Sequence, residues 1–428
     1  MRPVARAMRP RLLRTMTSTA MPFLRLYFAF AAGYLLSYLF RTVNAVISPE
    51  LTRELGLIPS SLGLMTSAYF VAFAAVQLPA GMLLDRYGPR RVEPVLLALA
   101  GTGALLFAAA DSVPGLLVAR ALIGAGSGVC LMAPLKAIAT WYPVEKQASL
   151  SGWMMVAGGV GALIATAPLE IAMHVVSWRT IFVALAVTTY AVAAWIWVKV
   201  PDTPASEKPA GFASQWAGVK SVFVHPRFWW IAPLGGVGMG AFMAIQGLWS
   251  VPWLMEVNGY DRATAARHLL VAGVTILAGY LLIGLFASRL VRRGIHPSHL
   301  FAAGFATNAA AFAAILFGIP GTYLWWGLYG FGSAVNVLSF TVLNDGFSRK
   351  LTGRANTAVN LIMFAGSFAM QWGIGLIVDA AHTGLGYDTA GGLKLAFAVV
   401  LALNLATLAW FALGWRRQTT RAFAAGGD

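Results

Sequence analysis

The sequence predicts an all-α polytopic membrane protein with twelve transmembrane helices in two pseudo-symmetric six-helix bundles. Composition, a succession of long apolar segments and an echo between the two halves of the chain predict it. Of 428 residues, 59% are hydrophobic and 11% charged, against about 45–50% and about 25% in an ordinary soluble domain. Mean hydropathy is +0.72. A soluble globule of this size needs more charge to cover its surface, so a soluble enzyme, a disordered chain and a secreted disulfide scaffold are excluded. The single cysteine, Cys130, excludes an internal disulfide and a cysteine-based zinc site.

The apolar segments lie near 22–47, 60–83, 93–110, 114–141, 148–172, 178–199, 228–254, 265–288, 298–318, 321–345, 355–378 and 392–414. Each is long enough to cross a hydrocarbon core of about 30 Å. They are continuous rather than alternating, which favours helices, whose backbone is satisfied internally in lipid, over a barrel. The basic start of the chain followed by an apolar run imitates a signal peptide. The run is too long for one, has no clear cleavage site and precedes eleven further segments, so it reads as the first span. The connector from Pro201 to Pro226 is long and carries Asp202, Pro204, Glu207, Lys208 and Pro209. It divides the chain into a tail (1–21), a bundle (22–200), a linker (201–226), a second bundle (227–415) and a final tail (416–428).

The net charge of +16 is topological. With the N-terminus cytoplasmic, the inner segments hold most of the arginines and lysines, whereas the outer ones hold only Arg53, Arg179, Arg262, Arg267 and Lys394. This bias predicts both termini inside and an inner (plasma) membrane location, and it leaves no case for nucleic-acid binding. Trp141, Trp178, Trp229, Trp230, Trp253 and Trp415 fall near span ends, where amphipathic rings anchor.

Between the second and third segments runs Gly81-Met82-Leu83-Leu84-Asp85-Arg86-Tyr87-Gly88-Pro89-Arg90-Arg91. A degraded copy, Gly284-Leu285-Phe286-Ala287-Ser288-Arg289-Leu290-Val291-Arg292-Arg293-Gly294, lies between the eighth and ninth. Met155-Val156-Ala157-Gly158 and Met363-Phe364-Ala365-Gly366 form a second echo, about half a chain apart. Such a duplication predicts halves related by an axis along the membrane normal. Gly81 would let helices approach closely, and Asp85 could face the positive N-terminal end of another helix.

The architecture and this loop resemble the major facilitator superfamily of secondary transporters, from about residue 22 to 415. Gly81, Asp85, Arg86, Gly88, Arg90 and Arg91 match its loop pattern, Pro89 departs from it, and Ser288 replaces the aspartate in the second copy. Arg120 to Gly124 looks like the family's Arg-x-x-x-Gly element, and Trp178-Arg179 is typical of it. Ala167-Pro168 is an incomplete match to its antiporter element. The resemblance implies a twelve-helix fold that rocks about a central site. It implies gating by Gly81, Asp85, Arg86, Gly88, Arg90 and Arg289, with Asp85 meeting the start of the eleventh helix near Arg354.

Ionisable residues inside a span are costly and point to function. On the first helix Tyr27, Tyr34, Tyr38, Arg41 and Ser48, joined by Asn44, share one face at helical spacing. An arginine among tyrosines suits a small anion, because guanidinium pairs bidentately with carboxylate or phosphate. Asn356, Asn360, Ser367 and Gln371 share a face of the eleventh helix. Tyr329, Ser333 and Asn336 on the tenth and Gln246 and Trp249 on the seventh add hydrogen-bonding groups. The expected substrate-binding set is Tyr34, Tyr38, Arg41, Asn44, Lys136, Gln246, Trp249, Asn336, Asn360 and Gln371. Glu170 is the expected proton-carrying carboxylate, and the family resemblance implies a structural or coupling role for Arg120. The six scattered histidines form no metal or catalytic cluster, the glycine-rich patch at Gly124, Gly126 and Gly128 reads as helix packing, and no nucleotide-binding or cofactor-binding signature is visible.

Arg41, Arg120 and Lys136 against Glu170 leave the interior positive. The expected function is therefore secondary transport of a small organic or inorganic anion by alternating access, as symport with protons, by a monomer in the membrane lipid. The alternatives are an efflux pump for drugs or metabolites, suggested by the aromatic content, and a polytopic membrane enzyme, for which no catalytic cluster is found.

Overall fold

The computed structural model describes residues 20–202, 212–344, 347 and 351–425. The expected tail up to residue 19, linker positions 203–211 and residues 426–428 lie outside the described residues, as do the side chains of Ser288 and Trp415. Eleven described helices are long and apolar enough to cross a membrane, and a bent pair, Tyr27–Thr42 with Asn44–Leu55, brings the total to twelve. This pair is span 1. Spans 2 to 6 are Pro59–Tyr87, Pro89–Ala109, Val113–Trp141, Ser149–Met173 and Trp178–Lys199. Spans 7 to 12 are Pro226–Val257, Arg262–Arg292, Pro297–Leu316, Thr322–Asn344, Arg354–Leu385 and Thr389–Gly414. A linker helix, Phe212–Phe223, packs on span 11 and span 2.

Five described spans break inside the molecule: span 5 between Ile164 and Ala167, and spans 1, 4, 7 and 10 as follows. Span 1 bends by 44° at Val43. The Thr42 hydroxyl donates to the Tyr38 carbonyl at 3.0 Å, a back-bond that bends helices. Pro49 removes the donor that would meet Ala45, and the Ser48 hydroxyl takes that carbonyl instead, at 2.9 Å. Span 4 loses its helix between Ser127 and Met132. Span 7 widens into π-turns at Ile245–Trp249 and Trp253–Val257, and span 10 tightens to a 3₁₀ turn at Ala334–Val337. These are corresponding positions in the two halves. Irregular backbone at membrane depth is tolerated only inside protein or along a cavity, and spans 4, 7 and 10 are the most buried of the eleven single-helix spans, at 61%, 78% and 72%.

Glycines set the close contacts, and they repeat. A Cβ on Gly124 of span 4 would lie 2.2 Å from the Tyr69 carbonyl oxygen of span 2, and one on Gly126 would lie 2.4 Å from Leu96 O of span 3. In the second half, a Cβ on Gly330 of span 10 would meet Ala272 O of span 8 at 2.2 Å, and one on Gly332 would meet Asn308 N of span 9 at 2.8 Å. Gly161 of span 5 abuts Leu35 O of span 1, as Gly366 of span 11 abuts Gly236 O of span 7. A Cβ on Gly81 or Gly284 would stand in open space, so the loop glycines are not where helices touch. Several of the tryptophans near span ends are covered by neighbouring helices. Trp178, Trp230 and Trp253 are buried, the last stacked on Phe397 with centroids 4.2 Å apart.

Candidate functional site

Arg41 lies just before the bend of span 1, where backbone and side chains from both halves converge. It is 5% exposed. Its guanidinium carbon lies 4.4 Å from the Tyr38 ring centroid, 5.1 Å from Phe73, 5.7 Å from Phe364 and 5.8 Å from Tyr69. Phe73 and Phe364, from spans 2 and 11, pack 4.5 Å apart, so the box closes across the two halves. Tyr34 sits edge-on to Tyr38 at 5.1 Å. A Cβ on Gly158 would lie 2.5 Å from the Tyr34 ring, so span 5 makes room for these tyrosines.

Among the described ion pairs none involves Arg41, and its Nε has no partner. Cation–π contacts contribute about 0.5–2 kcal/mol each, more as they are desolvated, against a penalty of several kcal/mol for burying an ion. The aromatic box therefore offsets much of that cost, and no described carboxylate shares in it.

Arg120 is fully buried and stands beside this box rather than in it. Its Nη1 donates to the Phe40 carbonyl at 2.8 Å, and the guanidinium lies 5.2 Å from the Tyr69 ring. It clamps the backbone next to Arg41. Asn44 faces span 2, donating to Thr66 Oγ1 at 3.0 Å. Lys136 is not in the box: its Nζ meets Asp85 Oδ1 at 2.6 Å and Leu84 O at 2.8 Å. Its charge is already taken by the loop, which removes the physical reason for placing it against a substrate. Among the described contacts Asp85 is met from within the first half, by Lys136, where the resemblance implied the start of span 11. Arg90 pairs with Asp202 at 2.9 Å and holds Trp197 O at 3.1 Å. Arg86 lies over Tyr87 and Arg289 over Phe286. We call this loop-bearing side the basic end.

In the second half, Trp249 donates its indole N–H to Gln371 O at 2.9 Å. Both side-chain polar atoms of the fully buried Gln371 lack partners. Asn336 donates to Ser333 O at 2.9 Å while its own amide oxygen is unpartnered. Gln246 is buried near Gly273 of span 8, and Asn360 is half-buried.

The end opposite the basic one is sealed across the halves. Arg262 of span 8 pairs with Glu50 of span 1 and reaches Glu170 Oε1 of span 5 at 3.5 Å. His174 pairs with Glu170 at 2.9 Å. Asp379 of span 11 accepts the Ser60 N–H at the first turn of span 2, at 3.0 Å, where a helix N-terminus favours a carboxylate. A Cβ on Gly63 would meet Gln371 O at 2.6 Å, and one on Gly375 would meet Pro59 O at 2.4 Å. Glu170 thus stands in this latch at the end opposite the basic one, and none of its described contacts is with the Arg41 box. Sequence reading missed Tyr69, Phe73 and Phe364, which are ordinary aromatic residues of apolar spans. It also missed Glu50, which looks like a loop carboxylate, and Glu93, which follows two arginines at the start of span 3.

The chain matches the Major Facilitator Superfamily over residues 30–370. It is 24% identical over 279 residues to a probable sulfoacetate transporter of Cupriavidus necator, covering 61% of this chain and 64% of that one. It is 25% identical over 304 residues to a D-galactonate transporter of Escherichia coli, covering 65% and 69%. It is also 30% identical over 151 residues, or 35% of each chain, to the hexuronate transporter of Escherichia coli. These alignments span about two thirds or less of the curated relatives. Among solved structures, a bacterial homologue of the human lysosomal transporter Spinster superposes with a TM-score of 0.74 at 17% identity, covering 93% of this chain and 98% of that one. A D-xylose–proton symporter does so with a TM-score of 0.69 at 15% identity, covering 91% and 97%. With a family match over most of its length and up to twelve helices long and apolar enough to cross a membrane among the described residues, the chain belongs to the Major Facilitator Superfamily.

Proposed function

We propose that this transporter carries a small organic anion, with a carboxylate or sulfonate head and a hydroxylated body, in symport with protons. It sits in the inner membrane with the basic end and both termini cytoplasmic. The observation that carries this reading is Arg41: a buried guanidinium with no carboxylate partner, boxed by rings from both halves. An anionic head placed there supplies the missing counter-charge, and charge-assisted hydrogen bonds of this kind contribute about 1.5–3 kcal/mol each. The unpartnered amides of Gln371 and Asn336 offer groups for hydroxyls on the body. The relatives named for sulfoacetate, galactonate and hexuronate share that chemistry. Arg120 positions Arg41 through Phe40, and the Glu50–Arg262–Glu170 latch must open for the site to face the other side.

The reading is tested by melting the purified protein with sulfoacetate, D-glucuronate, D-galactonate, phosphate, D-galactose and ethidium. A ligand stabilises by mass action. At least one anion should raise the melting temperature, and Arg41→Ala should erase the rise. Stabilisation by ethidium alone would replace this reading with drug efflux.

A further inference from the structure

The side chain of Glu170 is 5% exposed, on the last helical stretch of span 5, Ala167–Met173. One of its oxygens serves two groups. Arg262 Nε of span 8 lies 3.5 Å from Oε1, and His174 Nε2 lies 2.9 Å from the same atom. His174 is 62% exposed, so it joins the buried carboxylate to water. Arg262 also pairs with Glu50 of span 1, whose Oε2 is buried without a partner. Two carboxylates therefore share one permanent cation. Among the described contacts the latch is one positive charge short unless His174 carries a proton.

The other charged groups of the surrounding elements do not supply that charge. Arg53 of span 1 is exposed, and Glu54 pairs with Arg179 of span 6, which also holds Asp111. Arg267 of span 8 is exposed, and Asp261 accepts the Thr264 N–H at 3.2 Å in the first turn of that span. His268 is stacked on Tyr323 with ring centroids 3.7 Å apart, and its Nε2 lies 2.9 Å from Thr322 Oγ1. Glu256 of span 7 is exposed, and Asp379 of span 11 holds the Ser60 N–H.

The partners divide unevenly when the halves part. Glu50, Glu170 and His174 belong to the first half, and His174 follows Glu170 by four residues on span 5. Arg262 belongs to the second half and leaves with it. In the sealed latch a charged imidazole is a second cation on an oxygen that Arg262 already serves. The two contacts, 3.5 Å and 2.9 Å, hold these cations within 6.4 Å of each other, where like charges repel. In the open latch that repulsion is gone, and the imidazolium is the counter-charge left for Glu170.

We propose that His174 is a proton-operated release for the latch: its imidazolium takes over Glu170 from Arg262, so acid at that face opens the transporter there. The sign follows from linkage, because a proton that binds the open form better shifts the population towards it. An ordinary imidazole titrates at about pH 6.5, which sets the switch between about pH 5 and about pH 8. The proposal deepens the transport cycle given above and rests on its placement of the latch on the outer face. Protons that drive uptake then also present the binding site to the side they come from.

The experiment uses the full-length protein in lipid nanodiscs without substrate. Spin labels at Ile58→Cys and Phe317→Cys, exposed positions at the latch end of the two halves, report opening by double electron–electron resonance. Cys130 is buried and stays unlabelled. From about pH 8 to about pH 5 the ratio of open to sealed populations should rise at least about fivefold, the low end of such couplings. His174→Gln should give a flat response and stay sealed. His174→Lys, a cation throughout this range, should be as open at the alkaline end as wild type at the acid end. Both variants change an exposed side chain, so the packed interior is left as it is. A wild-type ratio that does not move with pH, a His174→Gln response equal to wild type, or His174→Lys as sealed as wild type at the alkaline end would each overturn the proposal. No anion is present, so failure of the Arg41 reading, seen in the melting-temperature shift, leaves these outcomes unchanged.

Discussion

The two halves agree in how they pack and differ in what they bury. Gly124 and Gly126 of span 4 have counterparts in Gly330 and Gly332 of span 10, each against the backbone of the two preceding helix partners. Spans 1, 4, 7 and 10 break at corresponding places in the two halves. The first half, however, buries the charged residues Arg41, Arg120, Glu93 and Glu170 with the amides Asn44 and Gln77, whereas the second buries His268 and the amides Gln246, Asn308, Asn336, Gln371 and Asn404, with no buried arginine, lysine or carboxylate among the described residues. Packing is dictated by helix approach and survives duplication. On the proposed reading, a substrate with one charged end and one neutral end asks for a different chemistry from each half.

The packing side of this comparison breaks hardest. Gly126→Val and Gly332→Val each drive a side chain into neighbouring backbone, and each should destabilise its half by about 3 kcal/mol, the upper range for overpacking. Equal falls in melting temperature support the equivalence, while a fall in one half alone breaks it. The latch sets a smaller effect. Arg262→Gln leaves Glu50 and Glu170 without their shared cation and should favour opening at that end by about 1–2 kcal/mol. Thiol labelling of Ser48→Cys from that side should then accelerate several-fold, and unchanged labelling would mean that apolar contacts alone hold the seal.

Most of the fold was legible because a membrane imposes a composition and a segment length, and because the loop at Gly81–Arg91 repeats at Gly284–Gly294. Arg41 was legible for a related reason: a charge on an apolar face is conspicuous. What escaped was partnership. Lys136 looked free because its carboxylate, Asp85, stands 51 residues away on the loop read as a gate. Glu170 looked central because helical periodicity gives a face but not depth or partner, and its partner Arg262 comes from the other half. Glu93 was hidden by Arg90 and Arg91, which make the start of span 3 read as a solvated turn. Only Gly33, on another helix, creates the space that buries it. Phe364 carried no signal, since an aromatic residue in an apolar span is ordinary until it faces a cation.

The central claim is that the anion is held by the charge of the first half and only adjusted by the amides of the second. Equilibrium titration of the stabilising anion into wild type, Arg41→Ala and Gln371→Ala tests it directly. The account predicts a loss of about a hundredfold or more for Arg41→Ala, equivalent to about 2.7 kcal/mol. Gln371→Ala should lose no more than about tenfold, as for one neutral hydrogen bond. Arg41→Ala within threefold of wild type, or Gln371→Ala as damaging as Arg41→Ala, would contradict it.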